Sequence, residues 1–121
     1  MKYILLIHDE EKGWGTISDA ERQAVMAEYR QFTQQIKSSG QYVGGSQLQP
    51  TSTATSVRVR NGKRVVTDGP FAETREQLGG YYLVDAKDLD EAIGLAARIP
   101  SARFGTIEVR PLVEVPAPAP A

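Results

Sequence analysis

The order of predicted elements constrains the fold of this chain more than any other feature. A continuous apolar run over residues 3–7 predicts a central strand covered on both faces. Apolar side chains recurring every three or four residues predict a helix over 19–38, and a short strand begins within 42–45. A second strand–helix–strand unit follows, with elements at 78–85, 89–99 and 106–110.

A β-hairpin is predicted between the two units. Residues 54–60 alternate in the manner of a half-buried strand, Asn61-Gly62 is a strong hairpin-turn signal, and 64–67 return as the partner strand. With the hairpin set aside, the order β-α-β-β-α-β is that of the split βαβ, ferredoxin-like fold. We therefore predict fold class α+β, with an antiparallel sheet, two helices on one face and an inserted hairpin.

The other face of this sheet needs a cover, and the sequence predicts no third helix to supply it. Pairing two sheets face to face would bury it, so we predict a homodimer. The domain is expected to span residues 1–112, followed by a Pro/Ala-rich tail over 113–121. Residues 11–17 are predicted to form a glycine-containing loop. Glycine pairs at 44–45 and 79–80 indicate a β-bulge or a close approach of two backbones.

Composition excludes several classes of site and partner. The 14 basic and 15 acidic residues are mixed along the chain, which argues against a nucleic-acid interface. Without cysteine and with a single histidine, one chain offers no Cys-ligated or multi-His metal centre, and we expect neither metal nor cofactor. The apolar run near the N-terminus is too short for a membrane span and lacks the form of a signal peptide, so we expect a cytoplasmic protein without membrane association.

The string TDGPFAETREQLGGYYLV, over residues 67–84, carries a family resemblance. Together with MKYILLIHDE at the start and ARIP and IEVRP near the end, it resembles the DGPF-motif branch of the YCII-related family. The resemblance covers roughly residues 1–112. It implies a dimeric α+β barrel of the ferredoxin-like kind, in agreement with the order of elements.

The resemblance also implies two kinds of function. The wider family includes a lyase that eliminates chloride from a chlorinated muconate-like intermediate, using a carboxylate after the first strand and a histidine on the first helix. Asp9 stands at the place of that carboxylate, whereas the place of the histidine holds Tyr29. DGPF-type proteins are also often encoded near extracytoplasmic-function sigma factors, which implies a regulatory context.

His8 and Asp68 are the candidate catalytic residues. His8 ends the first strand, where an imidazole could act as general base, or could simply be hydrogen-bonded at a strand end. Because successive strand residues point to opposite faces, His8 and Asp9 cannot both face one pocket, and Asp68 is favoured over Asp9 as the partner that orients His8. Asp68-Gly69-Pro70 is also a turn sequence, in which the Asp side chain accepts backbone hydrogen bonds and the Gly takes positive φ.

Further side chains are candidates for substrate binding. Arg75 and Arg103 could each clamp a substrate carboxylate, or could be solvated surface charges. One residue of the Tyr81-Tyr82 pair is expected to line a cavity or pack in the core, and Trp14 could cap the cavity mouth or cover the helix. The substrate-binding candidates are Asp9, Trp14, Tyr29, Arg75 and Tyr82.

Two functional hypotheses follow. In the first, the protein binds a small acidic organic metabolite in a cleft and carries out cofactor-free acid–base chemistry of lyase or isomerase type. In the second, it is a non-catalytic binding or regulatory protein associated with extracytoplasmic-function sigma factor signalling. The sequence leaves open whether the protein is an enzyme.

Overall fold

The computed structural model describes residues 1–115. Its strands and helices, in chain order, are β1 (Lys2–Asp9), α1 (Glu11–Thr16), α2 (Asp19–Ser38), β2 (Tyr42–Gln47), β3 (Thr55–Arg60), β4 (Lys63–Asp68), β5 (Gln77–Asp85), α3 (Leu89–Ala97) and β6 (Thr106–Pro111). Short 3-10 turns lie at Thr51–Thr53 and Pro100–Arg103. Residues 113–115, the described part of the predicted tail, are exposed, and 116–121 lie outside the described range.

Four strands form one antiparallel sheet in the order β2-β5-β1-β6. β1 and β5 occupy its centre, and the long helix α2 connects β1 to β2 across the intervening β5. This is the split βαβ topology, so the predicted α+β, ferredoxin-like fold with an inserted hairpin is confirmed. The predicted homodimer concerns a second chain and stays a prediction.

The alternation of β1 separates a core face from an open face. Tyr3, Leu5 and Ile7 are each at most 6% exposed, whereas Ile4 and Leu6 between them are half-buried. The core face is covered by α2 and α3, since the buried cluster joins residues of β1, β5 and both helices: Tyr3, Leu5, Ile7, Phe32, Ile36, Tyr82, Val84, Ala86, Ala92, Leu95, Ala96 and Ile99. Burying such side chains is the main favourable term in folding.

Both α2 and α3 begin at a side-chain cap. The Ser18 hydroxyl accepts a hydrogen bond from the Glu21 backbone N–H at 3.1 Å, and the Asp88 carboxylate accepts one from the Glu91 N–H at 2.9 Å. Each cap satisfies a backbone donor that the first helical turn leaves without a partner. The helix predicted over 89–99 ends at Ala97, and Pro100 opens the 3-10 turn that follows.

The prediction of a loop over residues 11–17 is wrong, because Glu11–Thr16 form the helix α1. Gly13 and Gly15 have low helix propensity, which favoured a loop in the sequence. One tertiary and one local hydrogen bond compensate for that propensity: the Glu11 N–H donates to Gln77 Oε1 at 3.0 Å, and within the helix the Thr16 hydroxyl donates to the Gly13 carbonyl at 2.9 Å. β1 also continues to Asp9, two residues beyond the predicted strand.

The two glycine pairs allow bulges and close backbone approach, as predicted. The ladder between β2 and β5 shifts register between Tyr42 and Gly44, and the β1–β5 ladder shifts after Ile7, opposite Gly80. A Cβ at Gly45 would lie 2.7 Å from the Tyr81 carbonyl oxygen, and one at Gly80 would lie 3.0 Å from the Ser46 carbonyl oxygen. Neither position has room for a side chain without movement of the backbone.

The hairpin β3–β4 forms a separate two-stranded sheet. Its turn residues Asn61 and Gly62 both have positive φ, at 52° and 73°, which is the geometry of a type I′ turn. The register pairs Val57 with Val66, which places these side chains on one face together with Val59. All three are more than half exposed, so no segment within residues 1–115 of the single chain covers this apolar face.

The glycines at 44 and 45 provide a matched test of the close approach. We expect Gly45→Ala to lower the free energy of unfolding by about 1–3 kcal/mol, because the new Cβ overlaps the Tyr81 carbonyl. A Cβ at Gly44 meets only Leu83 Cδ1 at 3.9 Å, an ordinary contact, so Gly44→Ala serves as the control. Urea unfolding measures both, and equal losses would contradict the predicted difference.

Candidate functional site

A cavity of about 410 Å³ opens on the helix-covered side of the sheet, at the end where β1 stops. This volume lies within the usual range for small-molecule pockets, about 300–1,000 Å³. Four aromatic side chains, three glycines and a set of polar and apolar residues line it, together with Tyr81, whose side chain lies on the opposite face of the sheet: Trp14, Tyr29, Tyr42, Tyr82, Gly45, Gly79, Gly80, Ile7, Asp9, Glu11, Met26, Thr33, Ser46, Gln47, Leu48, Gln49, Pro50 and Ser101.

Asp9 is the charged group most deeply buried in this cavity. It is the last residue of β1 and lies on the same face as the core residues of that strand, 6% exposed. Its Oδ2 accepts a hydrogen bond from Trp14 Nε1 at 3.1 Å, which orients the carboxylate. Among the described residues, no hydrogen bond to Oδ1 is formed, so this oxygen can accept a proton or a hydrogen bond from a ligand.

Tyr29 reaches the cavity from α2. Its hydroxyl lies 2.5 Å from Ser101 Oγ, in the 3-10 turn after α3, and either group can donate this hydrogen bond. Burial raises the pKa of Tyr29 above its usual value, an effect that the hydrogen bond to Ser101 partly offsets and the nearby Asp9 charge reinforces. The phenol is therefore neutral at physiological pH and able to donate a hydrogen bond.

Tyr82 lines the cavity from the central strand β5. Its hydroxyl lies 2.7 Å from Thr33 Oγ1 of α2, and its ring makes edge contacts with Phe32 at 5.3 Å and Tyr42 at 6.4 Å. Burial raises the pKa of Tyr82, against the opposing effect of the Thr33 hydrogen bond. Its position accommodates both sequence interpretations, since the ring packs in the core while the residue also borders the cavity.

Glu11 shapes the cavity wall and does not carry a free carboxylate. Its Oε1 accepts from the Thr51 backbone N–H and its Oε2 from the Thr51 hydroxyl, both at 2.8 Å. These bonds fasten α1 to the segment that leads into the hairpin. Asp9 is thus the lining carboxylate that remains available to a ligand.

The two arginine candidates lie outside this cavity. Arg75 is 92% exposed and contacts Glu10, with 3.4 Å between Nε and Oε1. Arg103 donates to Glu28 at 2.6 Å, and this hydrogen bond lowers the pKa of the Glu28 carboxyl. No Lys, Arg or His is among the described residues lining the cavity. The clamp predicted for a substrate carboxylate is therefore not formed in the single chain.

His8 points away from the cavity, because it alternates with Asp9 along the regular strand β1. Its Nε2 lies 3.5 Å from Glu108 Oε1 on the neighbouring strand β6, too far for a good hydrogen bond. Within residues 1–115, this buried nitrogen has no hydrogen-bond partner. His8 belongs to the open face of the sheet.

Asp68 is exposed at the end of β4, in the two-stranded sheet, and it is not among the cavity residues. No hydrogen bond or ion pair joins it to His8 in the described part of the chain. Gly69 takes the predicted positive φ, at 96°, and two hydrogen bonds to its backbone hold the turn: the Gly69 N–H donates to Ala54 O at 2.7 Å, and the Ser56 hydroxyl donates to Gly69 O at 2.8 Å.

The structure therefore brings together Asp9, Trp14, Tyr29 and Tyr82 of the predicted substrate-binding residues. It adds Ser101 and Thr33, which the sequence analysis missed. Neither belongs to a motif, and each is part of the site because its hydroxyl is hydrogen-bonded to a tyrosine hydroxyl from a distant segment. A strand predicted to end at residue 9 would have placed Asp9 on the core face, because every second residue from Tyr3 through Ile7 points to that face.

Two further kinds of site are absent from residues 1–115. No group of three or more His, Cys, Asp or Glu side chains there is arranged to hold a metal ion. None of the helices in that range combines the length and the apolar composition needed to cross a membrane.

Comparison with known proteins supports the resemblance in the sequence. The family model described as the YCII-related domain matches residues 1–116. The chain belongs to the YCII-related family. A relative from Rhizobium meliloti (strain 1021), described as an uncharacterised protein, is 37% identical over 114 residues, which cover 93% of this chain and 92% of the relative. YCII-related membership thus extends over the whole described domain.

The tyrosines of this YCII-related domain give it a predicted pH dependence. Burial raises the pKa of Tyr29 in the native state, so the folded chain holds the phenolic proton more tightly than the unfolded chain. The associated stability is present below the unfolded tyrosine pKa of about 10 and is lost as pH rises through the higher native value.

We therefore expect the free energy of unfolding to fall with pH above about 10, and to fall less steeply in Tyr29→Phe. Urea unfolding at a series of alkaline pH values measures the slope, and absorbance of the phenolate follows ionisation directly. Equal slopes for the wild type and the variant would contradict the assignment to Tyr29.

Proposed function

We propose that the chain binds a small organic metabolite in this cavity and carries out cofactor-free proton transfer of lyase or isomerase type. The observation that carries the proposal is the buried Asp9 carboxylate: Trp14 donates a hydrogen bond to one oxygen, and no described residue donates one to the other. A carboxylate in such a position can remove a proton from a bound substrate.

The reaction proposed for Asp9 moves one proton and the electron pairs of the substrate, and needs no second reactant. Asp9 Oδ1 accepts a proton from a substrate carbon, and the C–H electron pair forms a double bond. In an elimination, the leaving group departs with the electrons of its own bond. In an isomerisation, the proton returns to a different carbon of the substrate. Neither route requires an oxidant, a reductant or a metal.

Tyr29 is the proposed hydrogen-bond donor. A tyrosine phenol is protonated at neutral pH, and burial raises the pKa of Tyr29 further above that range. With Ser101 donating to the phenolic oxygen, the Tyr29 proton is free to stabilise negative charge that develops on a substrate oxygen. This carboxylate–phenol pair would replace the carboxylate–histidine pair implied by the family resemblance.

The proton-transfer role proposed here belongs to Asp9, although His8 was the candidate from the sequence. Asp9 borders the cavity and His8 lies on the opposite face of the sheet. Asp68 is likewise not among the described residues that line the cavity. Trp14 orients Asp9, and Tyr82 forms part of the wall.

A second candidate function is non-catalytic binding to a protein partner. The uncovered valine face of the hairpin, formed by Val57, Val59 and Val66, favours it. Sigma-factor signalling as the setting, and the DGPF branch itself, rest on the sequence string alone. This candidate predicts no substrate proton exchange with any metabolite, so the measurement described below separates the two.

We also propose that two chains pair through the open face of the four-stranded sheet. Ile4 and Leu6 of β1 lie beside Leu83 and Tyr81 of β5 on this face, and all four are only half-buried. A contiguous apolar surface of this kind is typical of an interaction site. A second copy supplies a matching surface by symmetry.

Proton transfer is tested by solvent exchange. Wild-type protein, incubated in D₂O with a panel of small carbonyl metabolites, should catalyse deuterium incorporation next to the carbonyl, measured by proton NMR. We expect Asp9→Asn to slow this exchange by about 10²–10⁴-fold, the usual contribution of a general base. Asp90→Asn, which removes the same charge from the exposed start of α3, is the control.

Two outcomes would contradict this assignment. A His8→Gln variant that loses exchange while Asp9→Asn retains it would return the proton-transfer role to His8. Absence of exchange with every metabolite, in wild-type protein that binds some of them, would favour the non-catalytic candidate.

The open face is tested by oligomeric state. Leu6→Arg places a charge at its centre and should convert a dimer to a monomer, measured by light scattering after gel filtration. Ile93→Arg is the matched control, since Ile93 is 50% exposed on α3, away from this face. A monomeric wild-type protein would refute the pairing, as would a Leu6→Arg protein that remains dimeric.

A further inference from the structure

We infer that the cavity selects amines and alcohols with a ring-sized apolar body and rejects carboxylates. This inference rests on the proposed binding function and specifies the chemical class of ligand. It replaces the acidic metabolite expected from the sequence. Three properties of the cavity carry it: the free carboxylate oxygen, the absence of a cation in the described lining, and the aromatic wall.

Asp9 Oδ1 is the oxygen to which a ligand can donate a hydrogen bond. Asp9 is only 6% exposed, and the hydrogen bond from Trp14 reaches only its Oδ2 atom. A buried charge is costly unless it is paired or hydrogen-bonded. A ligand ammonium or hydroxyl group would supply the missing donor to Oδ1. A ligand carboxylate would instead place a second negative charge beside it.

No arginine is free to neutralise such a second charge at the described lining. Arg22 approaches the Trp14 end, but its Nη2 donates to the Trp14 carbonyl at 2.6 Å and its Nη1 to Asp19 at 2.9 Å. Arg75 and Arg103 are exposed and contact Glu10 and Glu28. An acidic ligand would therefore lose its hydration without gaining a cationic partner.

The aromatic wall suits a cation with an apolar body. Trp14, Tyr29, Tyr42 and Tyr82 border the cavity, whereas the Tyr81 side chain lies on the opposite face of the sheet. Aromatic faces attract ammonium groups, and clusters of such rings are a known means of recognising them. Tyr42 already makes this type of contact, since Lys37 Nζ lies 5.0 Å from its ring centroid. Lys37 itself is not part of the described lining.

Matched probes test the inference. Benzylamine, benzyl alcohol and benzoate share one ring and differ in the group offered to Asp9. Their binding is followed by the fluorescence of Trp14, the only tryptophan in the chain, and by calorimetry at neutral pH and constant ionic strength. We expect benzylamine to bind at least tenfold more tightly than benzoate, with benzyl alcohol between them.

Removal of the carboxylate should abolish this order. In Asp9→Asn, benzylamine and benzoate should bind with similar affinities, because both the attraction and the repulsion disappear. Asp90→Asn changes the net charge equally at an exposed position and should preserve the wild-type order. Thermal unfolding shows whether each variant is folded, and the wild-type comparison stands even if Asp9→Asn is not.

Three results would overturn the inference. Benzoate binding as tightly as benzylamine to the wild type would refute the selectivity, while leaving small-molecule binding intact. A preference for benzylamine that survives in Asp9→Asn would assign the selectivity to another group. Binding of none of the three probes at millimolar concentration would remove both the inference and the proposed cleft.

Discussion

The regular alternation of β1 up to Asp9 is the constraint on which the rest of the structure depends. The strand lies between β5 and β6, so its direction cannot vary without breaking both ladders. Alternate side chains therefore build the core as far as Ile7, and the next residue on that face is Asp9. The same periodicity that buries the apolar residues thus places a carboxylate where the core opens into a cavity.

Trp14 links this constraint to the helix that follows the strand. A carboxylate at the edge of a core requires hydrogen-bond donors, and the indole N–H provides one from α1. The indole ring also packs edge-on against Phe104, with 5.9 Å between centroids, which helps to fix its orientation. A single side chain therefore orients the candidate base and forms part of the wall around it.

Most of the fold could be predicted from the sequence, because its signals are local. Helical periodicity, two cap sequences and Asn61-Gly62 each determine nearby structure without reference to distant residues. α1 could not be predicted, since its glycines oppose a helix and the contacts that hold it come from remote residues such as Gln77. The site was predicted in part: Asp9 was a candidate through the family resemblance, whereas Ser101 reaches Tyr29 only through long-range packing.

The glycines on the sheet side of the cavity form its floor and limit which substitutions can change its volume. Gly45, Gly79 and Gly80 line it, so a ligand there would rest against bare backbone. Any replacement adds atoms, and a Cβ at Gly79 would already lie 3.5 Å from Asp9 Oδ1. Substitution on the sheet side can therefore only narrow the cavity, whereas Met26 and Thr33 on α2 can be trimmed. New ligand sizes would therefore be accommodated by changes on the helix side, while the glycine floor stays unchanged.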